Sequence, residues 1–162
     1  MHRSPIAFTS LALLLSSAVV AAQEAPRGTR LSITKITNRQ HGGFGDQARI
    51  VIRDSTLWHA IWRHVTGTPD SAPGVDFGRD MVIVAALGGQ RSGCCGIRVD
   101  SVVTGFVDVT AYVSSGRAGE GCIVTMGFTE PVEVVRVPRT RHPMLFAEKQ
   151  VIGASCLVAP KQ

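Results

Sequence analysis

The chain is short of aromatic residues and of acid: 6% of its 162 residues are Phe, Trp or Tyr, and 12 Asp and Glu stand against 17 Lys and Arg. The first shortage speaks against nucleic-acid binding, because grooves that hold nucleic acid interleave cations with stacking rings, and the basic residues here have no such partners in sequence. Also missing are the catalytic signatures G-x-S-x-G, H-E-x-x-H and a Cys-His protease pattern, so no hydrolase nucleophile is legible and the chain is not expected to be an enzyme or to carry a cofactor. The glycines of Gly116–Gly121 lack the G-K-[ST] ending and following helix of a phosphate loop. After residue 20 no apolar run approaches the roughly 20 residues of a membrane-spanning helix.

What is present begins with a leader pattern. His2 and Arg3 precede the apolar stretch Ile6–Val20, and small residues at Ala21 and Ala22 lead to Gln23, the order of a secretory signal peptide over residues 1–22. No cysteine stands at the expected cleavage point, so the export expected is into the periplasm or medium without a lipid anchor. Residues 23–30, with Pro26 and Gly28, read as a flexible lead-in, and residues 31–162 as a single domain. The net charge of +5 suits an acidic or envelope partner, and Arg136–His142 is its densest basic stretch.

Four cysteines (Cys94, Cys95, Cys122 and Cys156) lie in the exported part, and an even count in an oxidising compartment favours disulfides. Neighbouring cysteines bond each other rarely, because the small ring strains the peptide between them, so Cys94 and Cys95 are each expected to reach Cys122 or Cys156 in one of two connectivities. A metal site would want C-x-x-C spacing, and a thioredoxin-like redox site the same motif at a helix start; neither is present. No metal ligands are assigned: His59 and His64, five residues apart on a helix, face away from each other.

The hydrophobic pattern predicts an α+β domain, predominantly antiparallel, a sandwich or open barrel of about seven strands with one packed helix. Alternation marks strands at Leu31–Ile36, Ala48–Arg53, Ile97–Val103 and Phe106–Val113. The continuous apolar run Met81–Leu87 fits a strand covered on both faces. Further strands are expected at Cys122–Phe128 and Val132–Val137, with Ser114–Gly121 a loop and Leu145–Val151 either a last strand or a flap tied down by Cys156. The helix opens after Asp54 or Ser55, carries Leu57, Trp58, Ile61, Trp62 and Val65 on one face, and stops at Gly67.

Three segments together, LWHAIWRHVTG, VDFGRDMVIVAALGGQRSGCCGIRVDSV and GFTEPVEVVRVPR, resemble the C-terminal domain of the protease complex subunit PrcB over most of Leu57–Arg139. Val75-Asp76-Phe77, Met81-Val82-Ile83, Ser92-Gly93, Thr129, Pro131 and Val134-Val135 carry the pattern. Cys94 and Cys95 stand where that pattern has Gly and Tyr, and Val132-Glu133 where it has Tyr-His. The resemblance implies an exported, non-catalytic accessory or protein-binding domain that stabilises or associates with a secreted or envelope protein, a protease among the candidates. The loops expected to meet that partner contain Gln90, Arg91, Ser92 and Gly93, and Arg117 and Glu120. The alternatives are a thiol-active or metal-binding protein that uses Cys94 and Cys95, and a small protease inhibitor.

Overall fold

A computed structural model describes residues 28–69 and 71–154; the expected signal peptide, most of the lead-in and Cys156 lie outside them. The described chain runs β1 (Arg30–Leu31), β2 (Thr34–Arg39), β3 (Ala48–Ile52), α1 (Ser55–Thr66), β4 (Asp80–Ala86) and β5 (Gln90–Ser92). It continues through β6 (Gly96–Thr104), β7 (Val109–Arg117), β8 (Met126–Thr129), β9 (Val132–Pro138) and β10 (Met144–Ile152). One four-stranded sheet has the order β1-β6-β7-β10 and the other β2-β9-β4-β3, while β5 and β8 pair apart from both. Every pairing within these sheets is antiparallel except β7 with β10. The result is an α+β sandwich, not a closed barrel.

Strand β4 explains the layering. Met81, Ile83 and Ala85 face the other sheet and pack with Val99, Val102, Val109, Ala111 and Val113, whereas Val82, Val84 and Ala86 face the helix and pack with Trp58 and Val65. All six side chains from Met81 to Ala86 are fully buried, which is why their run shows no polar alternation. The helix is held at both ends: Asp54 Oδ1 accepts from Leu57 N at 2.8 Å, and Gly67, at φ 68°, donates its N–H to Arg63 O. Trp58 is buried and anchors its indole on Pro73 O at 2.9 Å, fastening the proline-rich connection after the helix. His64 meets the Phe44 ring edge-on and His59 Nδ1 meets Ser55 O, so both histidines serve the helix surface.

Carboxylates stitch the two sheets at opposite edges. Glu148 of β10 receives Arg49 Nε at 2.8 Å and the Gln47 side chain. Glu133 of β9, 1% exposed, accepts the Val99 N–H at 2.6 Å and Asn38 Nδ2 at 3.3 Å, with Lys35 Nζ at 3.4 Å. It lies where β1 no longer covers the edge of β6, so the carboxylate takes the place of a missing strand partner.

Several boundaries differ from those expected. Ten strands form among the described residues rather than about seven. The alternation seen from Phe106 is real, with Val109, Ala111 and Val113 inside, but the strand starts at Val109 and runs on to Arg117, absorbing part of the expected loop Ser114–Gly121. Cys122 is not in a strand, since β8 starts only at Met126. The ambiguous tail is a strand, carried in parallel register along β7 from Met144↔Val109 to Ile152↔Arg117.

Candidate interaction site

Past β4 the chain leaves the core through Gly88 and Gly89. Gly88 has φ +82° and sits against the main chain of Asp46 and Gln47, so only glycine fits the turn. Residues 90–92 then form β5, paired with β8: Gln90 opposes Thr129 and Ser92 opposes Met126, with a register shift between them. The buried Thr129 hydroxyl donates to Ser92 O at 3.0 Å, and Gly93 N–H donates to Thr125 O at 3.0 Å. A side chain at Gly93 would run into Thr125 Oγ1 unless that threonine turned away, so the close approach of the two segments favours glycine here.

The two loops named from sequence come together here. Gly96, directly after the cysteine pair, registers against Gly116 of β7. Gln90, Arg91, Ser92 and Gly93 therefore share one end of the sandwich with Arg117 and Glu120. Arg91, Arg117 and Glu120 are exposed, while Gln90 and Ser92 are half-buried and serve the β5–β8 pairing.

Cys94 and Cys95 are free thiols with their sulfurs 3.3 Å apart. The expected bridging of this pair to Cys122 and Cys156 is thus corrected: neither residue is engaged in a disulfide. The reason is local, because the tight turn between β5 and β6 points both sulfurs at Ser92 Oγ, which lies 3.1 Å from Cys94 and 3.9 Å from Cys95. The two thiols differ in environment. Hydrogen bonds from Ser92, then from the Ala118 main chain and Cys95, hold the Cys94 pKa below the usual thiol range. Burial, reinforced by the Cys94 hydrogen bond, pushes the Cys95 thiol up. Among the described residues no cluster of three or more His, Cys, Asp and Glu could hold a metal ion.

What sequence reasoning missed is the apolar surface beside these loops. Ile123, Met126 and Phe128 are 102%, 90% and 62% exposed, all in the segment that leads into and forms β8. Their alternation with small or polar residues reads as a half-buried strand, yet among the described residues β8 pairs only with the three-residue β5, which leaves them largely exposed. Glu133 was also missed as a structural group, although an acid inside VEVVRV signals a buried acceptor.

No curated protein and no solved structure matches the chain. A family model does: the segment from β4 through β9, which contains the cysteine turn, the β5–β8 arm and Glu133, matches the PrcB C-terminal family over residues 81–138.

Proposed function

We propose that the chain is an exported, non-catalytic accessory domain that binds a protein of a protease complex through the end formed by β5, β8 and residues 117–125. The observation that carries this is the exposure of Ile123, Met126 and Phe128 on a short, glycine-positioned arm next to Arg91 and Arg117, an apolar centre with a cationic rim. The family match supports a protease-associated partner, and the leader pattern supports export. Affinity purification of the exported protein should recover a protease or a subunit of one. The double variant Ile123→Ser/Phe128→Ser should lose it while stability changes by less than about 0.5 kcal/mol per exposed site. Equal recovery by the variant removes this surface from consideration.

The free, adjacent thiols favour one second reading, a thiol-reactive site with Cys94 as nucleophile. Alkylation proceeds through the thiolate, so a lowered Cys94 pKa means that its labelling rate reaches its plateau at lower pH than that of a free cysteine, whereas the buried Cys95 reacts later. Peptide-level mass spectrometry of unreduced exported protein decides: labelled Cys94 supports this reading, and Cys94 or Cys95 linked to Cys122 or Cys156 eliminates it.

A further inference from the structure

The basic stretch Arg136–His142 has no part in the site just described. β9 ends at Pro138 and β10 begins at Met144, and the connection between them folds against the end of β3. Arg53, Arg139, Thr140, Arg141, His142 and Pro143 line a pocket there of about 450 Å³.

Main-chain oxygens, rather than carboxylates, hold this pocket in shape. Arg53 Nη2 donates to His142 O at 3.1 Å, and Arg139 Nη1 donates to Phe77 O at 2.6 Å and Arg53 O at 2.8 Å. Carbonyl acceptors fix the guanidinium groups without neutralising them. Among the described residues no acidic side chain lines the pocket, and the described acids close by in sequence are engaged: Asp54 caps the helix and Asp80 pairs with Arg136 at 3.6 Å. Among the described residues Arg53, Arg139 and Arg141 form no ion pair.

A second observation is independent of the charge. Thr140 is 8% exposed, and its Oγ1 is buried with no hydrogen-bond partner. Buried hydroxyls nearly always have one, and an orphan destabilises the fold unless something is there to accept or donate. Like charges and an unpartnered hydroxyl in the wall of one pocket have the same remedy, a ligand that is negative and rich in acceptors.

The geometry points to an oxyanion site in which a phosphate or sulfate group sits among the Arg53, Arg139 and Arg141 guanidinium groups and, once the Thr140 side chain turns toward the pocket that it lines, accepts a hydrogen bond from Oγ1. A tetrahedral dianion suits it better than a single carboxylate, because its oxygens diverge toward several forked donors at once.

The test is an NMR titration of the full exported chain with inorganic phosphate, following the signals of Arg53 and residues 139–141. Sodium chloride at matched ionic strength and sodium acetate serve as controls. Saturable shifts are expected with phosphate and weaker ones with acetate. Phosphoserine separates two sources of the group: affinity equal to that of phosphate means that the pocket accepts an attached phosphate, and weaker binding means that it takes the free anion. Arg141→Gln, at an exposed residue with no ion pair, should weaken phosphate about tenfold, the factor that 1.4 kcal/mol represents. Thr140→Val should weaken it too without lowering the melting temperature, which separates a ligand contact from a structural one. Chloride or acetate shifts equal to those with phosphate, or phosphate affinity unchanged in both variants, overturns the proposal.

Discussion

Two charged regions of this protein invite comparison. In the groove beside the open edge of β6, lined by Lys35, Arg98, Asp100 and Lys149 among others, most charge is already answered: Lys149 Nζ lies 3.6 Å from Asp100, and Lys35 reaches the buried Glu133. In the pocket between β9 and β10 three arginines gather with no acid among the described residues that line it. Both are concave and both are basic, so size and net charge do not tell them apart. Completeness does. Glu133 has three donors converging on it, and the groove is a finished piece of architecture, whereas the arginine pocket with its orphan hydroxyl is finished only by something from outside.

From that contrast, damage to the seam is read in stability and damage to the pocket is read in binding. The largest effect is expected at Glu133→Ala, which strands the Val99 N–H and uncouples Asn38 and Lys35 at once. Removing one partner of such a buried charged network costs about 3–5 kcal/mol, measurable by urea denaturation. Glu133→Gln sharpens the reading, because an amide oxygen still accepts from Val99. Only the charge-assisted part should be lost, about 1–2 kcal/mol, since Lys35 is 59% exposed and its ion pair is screened by water. A loss at Glu133→Gln as large as that of Glu133→Ala would mean that charge, not the acceptor, closes the edge of β6.

How far this organisation was legible depends on whether a residue's role is local. The helix could be read because cap, apolar face and terminal glycine are all local signals, and β4 because burial on both faces leaves an uninterrupted apolar run. The start of β7 was misplaced because Phe106 and Val107 continue the alternation past the point where pairing begins, at Thr104↔Val109. β5 escaped notice because three residues, Gln90–Ser92, carry no period, and its partner β8 exposes side chains that look fit for burial. The two candidate loops meet because β6 pairs with β7 from Gly96↔Gly116 onward, a contact that neither loop announces by itself. The pocket at Thr140 joins β3 to a turn some 90 residues later, and no local pattern announces such a meeting. The fate of Cys94 and Cys95 was misjudged for the same reason: count and compartment favour bridges, but a short turn points both sulfurs toward Ser92.

The smaller effects lie in the pocket, and their sign is informative. Thr140→Val replaces an unpartnered hydroxyl by a methyl of similar shape, so in anion-free buffer it should raise stability by about 1 kcal/mol, the opposite of what a mutation in the seam does. Phosphate should then narrow the gap, because the wild-type chain gains from the ligand what the variant cannot. Arg141→Gln is the smallest change of all, within about 0.5 kcal/mol in the absence of anion, since an exposed guanidinium without an ion pair contributes little to the fold. In the proposed site it should nevertheless reduce the stabilisation that phosphate gives. Melting curves of both variants with and without phosphate, at constant ionic strength, read these terms together. A pocket that is merely a basic surface would give the same phosphate response in wild type and in both variants, and the two charged regions would then differ only in how their arginines and lysines are packed.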